Sequence, residues 1–146
     1  MKPITLKELK QQYEIDFTGN GLELEIVAKW VVDGEDRLSY TSLIRLIECC
    51  REYHWETDIN SLIEKHELDS ITKTISVEFS KPIFIGNRIA ITYRIIEVRN
   101  RGYSLGFQID NITLKNVSAQ CYMVSVFYNP LTHSVTSPPI NLLETI

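Results

Sequence analysis

The stretch "YTSLIRLIECCREYH", residues 40–54, decides the fold. Leu43, Leu46, Ile47, Cys50 and His54 recur at the spacing of a helix and share one face, with Cys49 and Tyr53 beside them. Thr41, Arg45, Glu48 and Glu52 lie on the opposite face. Ser39 or Thr41 suits the N-cap. No other stretch is as long, as apolar and as helical in period.

Outward from this helix the pattern changes to period two. Upstream, "LELEIVAKWVVD" (22–33) sets Leu22, Leu24, Ile26, Ala28, Trp30 and Val32 on one face against Glu23, Glu25 and Lys29. Before it, "ITLKELKQQY" reads as a short helix capped by Thr5, closed by the turn signal "TGNG" at 18–21. Downstream, "DINSLIEKHE" reads as a second short helix. Strands follow: "ITKTISVEFS" (71–80), "RIAITYRIIEVRN" (88–100), "YSLGFQIDN" (103–111) and "VSAQCYMVSVFYN" (117–129), the last apolar on both faces. The two prolines of "THSVTSPPINLLETI" exclude a helix through them. The order is strand, long helix, then about four antiparallel strands joined by tight hairpins. A sheet with one apolar face must cover it, and only the 40–54 helix is long and apolar enough. The expected class is α+β, one antiparallel sheet of about five strands curled around one central helix.

At 146 residues the chain reads as a single domain, with residues 1–21 as an N-terminal extension and 130–146 as a C-terminal tail. The net charge of −4 and the lack of a Lys/Arg run argue against a nucleic-acid partner. No apolar run approaches the roughly 20 residues of a membrane span. The N-terminus has no signal-peptide core, so the expected location is cytoplasmic. Cys49, Cys50 and Cys121 read as free buried thiols, and no His/Cys/Asp cluster has metal spacing.

Three stretches carry a family resemblance: "VVDGEDRLSYTSLIRLIECCREYHW", "SVEFSKPIFIGNRIAITYRIIEVRNRGYSLGFQIDN" and "SAQCYMVSVFYN". Together they resemble the hotdog fold, and within it the acyl-CoA thioesterases of the 4-hydroxybenzoyl-CoA thioesterase-like kind. The resemblance implies hydrolysis of an acyl thioester, with acyl-CoA or acyl-carrier protein as substrate. It implies no cofactor beyond the substrate's own CoA or phosphopantetheine, and a homodimer or homotetramer. By position Asp33 matches the family's loop aspartate, and Glu48 the carboxylate that other branches carry on the helix. Tyr40 matches the aromatic at the helix start, whose backbone N–H polarises the thioester carbonyl. Thr41 matches the threonine that some members pair with the helix glutamate. Arg88, Arg99 and Arg101, with Lys81, lie at strand ends where cations meet the carrier's phosphates. Each acid has an ordinary reading as well: Asp33 as a turn former in "DG", Glu48 as a charge on a solvated face. A non-catalytic acyl-binding or assembly module of the same fold is the alternative, with a dehydratase or acyl transferase behind it.

Overall fold

The computed structural model describes residues 15–18, 20–27, 30–31, 35–54 and 68–137. The 40–54 stretch forms a helix as its period requires, α1 (Tyr40–His54). Around it run β1 (Asp16–Thr18), β2 (Gly21–Glu25), β3 (Asp69–Phe79), β4 (Arg88–Arg99), β5 (Gly102–Asn111), β6 (Asn116–Asn129) and β7 (Ser134–Val135). The strands make one antiparallel sheet in the order β1-β2-β4-β5-β6-β3, with β7 added beside the end of β6. This is the α+β hotdog arrangement expected from the sequence, two short strands richer.

Register explains the core. Ile91 pairs with Ile109, Tyr93 with Phe107 and Ile95 with Leu105. Beyond them Ile109, Phe107 and Leu105 pair with Ala119, Cys121 and Met123. Side chains at paired positions share a face, so these rows form a continuous apolar surface. The helix closes it. Leu43, Leu46, Ile47 and Cys50 are at most 1% exposed, as are Leu22, Leu24, Ile89, Ile91, Leu105 and Ile109.

Two expectations are corrected. The alternation over 22–33 does not continue as strand. β2 stops at Glu25, because its partner β4 begins at Arg88 and the preceding turn diverts the chain. Ile26 still exchanges hydrogen bonds with that turn, donating to Asn87 O and accepting from Gly86 N. Ile26 and Trp30 stay buried, so the alternation reported burial rather than ladder pairing. The second correction concerns connection. β3 does not form a hairpin with β4; it crosses to the far edge and pairs with β6, Phe79 opposite Ala119 and Asp69 opposite Tyr128. Hairpins do join β4 to β5 and β5 to β6. The turn before β4 depends on Gly86, whose φ of 86° is costly for any side-chain-bearing residue. The expected helices over "ITLKELKQQY" and "DINSLIEKHE" fall outside the described residues.

The flanks of α1 differ. On one, Tyr53 stacks on Phe17 of β1 at a centroid distance of 4.4 Å. The other flank faces β3, which the helix does not cover: α1 packs chiefly on β2 and β4. Ile75 and Phe79 of β3 remain 41% and 42% exposed, and Tyr40 of the helix 68%. The seam should dominate stability. Leu46→Ala is expected to cost about 2–5 kcal/mol, and Ile44→Ala, on the open flank, under about 1.5 kcal/mol. Urea unfolding of the two variants checks the contrast.

Candidate active site

Ser39 is the N-cap, and its Oγ accepts from the Ser42 amide at 3.2 Å. The Leu43 amide donates to Ser39 O. The amides of Tyr40 and Thr41 have no acceptor among the described residues. Unpaired donors at a helix start carry partial positive charge. A cavity of about 490 Å³ opens beside this helix start, between α1, the end of β3 and the start of β6. Leu38, Leu43, Ile83 and Ala119 give it a buried apolar floor. Tyr40 and Phe79 meet along one wall, centroids 4.6 Å apart. Arg37, Lys81 and Glu35 line it as charged groups. Among the described residues neither Arg37 nor Lys81 is in an ion pair.

Glu48 lies farther along the same flank. Eight residues separate it from Tyr40, about 12 Å along the axis. Its side chain is 37% exposed and pairs with Arg51, Nε to Oε2 at 3.5 Å. It is not simply a charge on the wet face. Its charge reaches the Cys121 thiol on the inner face of β6 and the Cys49 thiol on the helix, helping to raise both. The carboxylate therefore sits at the border of the core, over the β6–β3 side of the sheet.

Thr41 is exposed at the helix start, and the structure does not bring it to Glu48. Asp33 lies outside the described residues. Arg88 is held by Asp16 at 2.8 Å and Glu23 at 3.5 Å, on the β1–β2 side of the sheet and away from the cavity. Arg99 pairs with Glu97 at 3.1 Å. Arg99 and the exposed Arg101 flank the β4–β5 turn, near the end of β6 opposite the cavity. Among the described residues, the cations lining the cavity are Arg37 and Lys81. Arg37 escaped the sequence reading because it sits in an irregular loop; its bridge to Phe84 brings it to the cavity. Among the described residues no cluster of His, Cys, Asp and Glu would hold a metal, and no helix is long and apolar enough to cross a membrane.

The comparisons with known proteins agree with this architecture. Residues 34–146 match the family model of the thioesterase-like superfamily. No curated protein matches the chain in sequence. Among solved structures, a 1,4-dihydroxy-2-naphthoyl-CoA thioesterase from Synechocystis aligns with a TM-score of 0.71 at 12% identity, over 86% of this chain and 93% of that one. A thioesterase from Thermus thermophilus, complexed with coenzyme A and zinc, aligns with a TM-score of 0.71 at 13% identity over 92% of each chain. A 12:0-ACP thioesterase from Umbellularia californica aligns with a TM-score of 0.76 at 14% identity over 85% of this chain, which spans about half, 48%, of that enzyme. At these identities the likeness is one of fold. The family match covers most of the chain, and the protein belongs to the thioesterase-like superfamily, whose activity class is thioester hydrolysis.

The three cysteines are packing residues, as expected from the sequence. All are free and buried. Burial first, then the charges of Glu52 and Glu48, pushes the Cys49 thiol up to about 12. Burial, with Glu48 behind it, pushes Cys121 up to about 11. Burial pushes Cys50 up as well. The unfolded chain releases these protons near the ordinary thiol range, while the folded chain keeps them. Above that range the folded state binds more protons, so stability is full below about pH 8.5 and falls as pH rises toward 11–12. Native protein at pH 8 should show no thiol reactive to a disulfide reagent within minutes, and all three should react in denaturant. The urea midpoint should be lower at pH 10.5 than at pH 8.

Proposed function

We propose that this protein is a homodimeric hydrolase of acyl thioesters carried on CoA or on the phosphopantetheine of an acyl-carrier protein, with Glu48 as the working acid. One observation carries the reading. Glu48 and the unpaired amides of Tyr40 and Thr41 belong to one helix, the amides at its start beside an apolar cleft and Glu48 about 12 Å farther along. A reacting carbonyl must sit about 3 Å from both its oxyanion donors and its activated water. One protomer's helix cannot supply both to one carbonyl. A two-fold partner can, with the acid from one protomer and the helix start from the other.

β3 supports such a dimer. Among the described residues its outer edge is unpaired over 11 residues, and Ile71, Ile75 and Phe79 stand exposed along it. A long, apolar, open edge strand invites another strand. Antiparallel pairing of β3 with its copy extends the sheet and closes the cleft over Glu48. It also removes the exposed apolar side chains from water.

The chemistry follows. Glu48 takes a proton from a water whose oxygen adds to the thioester carbon. The carbonyl oxygen, now an oxyanion, is met by the amides of Tyr40 and Thr41 of the other protomer. The C–S bond breaks, and the departing sulfur takes the proton, leaving a carboxylic acid and a free thiol. Arg37 and Lys81 offer charge for the carrier's phosphates, and the apolar cavity floor receives the acyl group. The solved structures of similar fold support this carrier class: one acts on a naphthoyl-CoA, one on a 12:0-ACP, and one is complexed with coenzyme A.

Complementation tests the reading. Tyr40→Pro removes the amide donor at a helix position where proline is tolerated. Glu48→Gln removes the acid. Each alone should lower turnover of an acyl-CoA panel by about 100-fold or more, while Asp33→Asn keeps most activity. Unfolding and remixing the two inactive variants should restore about a quarter of wild-type turnover, because half the dimers are mixed and each mixed dimer has one intact site. No recovery in a verified mixed dimer would place both groups in one protomer. Loss of activity in Asp33→Asn alone would make Asp33 the acid.

A further inference from the structure

Arg51 is the most buried of the ion-paired arginines described, its side chain 15% exposed against 41% for Arg88 and 69% for Arg99. A guanidinium cannot shed its charge, so burial requires acceptors around it. Two are present. Glu48 offers Oε2 at 3.5 Å from Nε. From β5, Tyr103 presents its hydroxyl, which interacts with the Arg51 side chain and lies 3.3 Å from Ser70 Oγ of β3. Tyr103 itself is 1% exposed, and burial holds its hydroxyl in the neutral, donating form, above its ordinary range.

The string Glu48–Arg51–Tyr103–Ser70 thus runs from the half-exposed helix border into the core and joins α1, β5 and β3. Its two ends differ. Arg51 interacts with a buried hydroxyl, while the Glu48 side chain is 37% exposed. The arginine touches one carboxylate oxygen, and Oε1 is left for another partner. An ordinary helix-surface pair three residues apart needs no buried anchor.

We propose that Arg51 is a positioning residue for Glu48: anchored by Tyr103, it holds Oε2 and turns Oε1 toward the cleft. This rests on the reading of Glu48 as the working acid. A carboxylate left free to rotate spends less time within reach of the water it must activate, and such misplacement is costly. Arg51 touches neither water nor thioester, so its effect belongs in turnover and not in substrate binding.

The test is steady-state kinetics on an acyl-CoA that the wild type hydrolyses. Arg51→Gln should lower kcat on the order of 10- to 100-fold with KM changed by less than about threefold. Tyr103→Phe should lower kcat by about three- to tenfold, also at constant KM, because it removes only the anchor. Arg51→Lys should recover part of the loss, since the charge remains without the planar fork. The double variant Arg51→Gln with Glu48→Gln should be no slower than Glu48→Gln alone, because both act through one carboxylate. If Arg51→Gln fails to fold, Arg51→Lys and Tyr103→Phe decide by the same split. Wild-type kcat in a folded Arg51→Gln, or multiplicative losses in the double variant, would overturn the positioning role. Wild-type turnover in Glu48→Gln would overturn the acid assignment, and the positioning role with it.

Discussion

The structure depends on one helix filling one concavity. Leu43, Leu46, Ile47 and Cys50 lie in a trough made by β2, β4, β5 and β6, and almost none of this surface reaches water. A sheet with an apolar face has no stability until that face is covered. A single helix about 10 Å across can cover only two or three strands spaced near 4.8 Å. The sheet is wider than that. Helix and β1 together close one side, through Tyr53 and Phe17, and β3 is left over. The open flank is therefore a consequence of how the core is built.

That flank is where chemistry becomes possible. Residues at the border of a core meet apolar surface on one side and water on the other. Such a border can set a carboxylate beside an acyl chain. Glu48 occupies this border, half-exposed and close enough to the buried Cys121 thiol to raise it. The helix start, two turns away, offers the opposite electrostatic character through unpaired amides. Under the function proposed above, their separation along a rigid helix makes catalysis a matter of assembly, because two groups fixed that far apart reach one carbonyl only from two protomers.

The sequence made much of the fold legible. The 3.6-residue period of 40–54 and the two-residue periods from 71 to 129 correspond to α1 and to β3–β6 within a residue or two. Period and burial are local consequences of which face meets the core, so they survive in the chain as pattern. The length of β2 was not legible, because Ile26 and Trp30 are buried without a ladder partner, and alternation alone does not distinguish the two. Nor was the pairing of β3 with β6. Each strand presents the same kind of apolar face, and nothing in the order of residues names a partner across 40 or more positions.

For the site, the residue types and spacings stood in the sequence: an acid at 48, an aromatic at 40, a serine or threonine cap before the helix. Their environment did not. A helical wheel puts Glu48 with Thr41, Arg45 and Glu52 on a polar face. Only packing shows that the helix is rolled so that the flank of Tyr40, with Glu48 and Arg51 farther along it, borders β3. Arg88 and Arg99 looked equally available as strand-end cations; register brings Asp16 and Glu23 to Arg88, while Arg99 pairs with Glu97 two residues before it on the same strand. The sequence by itself determined a helix that must be buried, the strands that bury it, and a carboxylate near the helix middle. Tertiary structure decided which flank stays open and which charges are already spoken for, because both depend on contacts between segments distant in the chain.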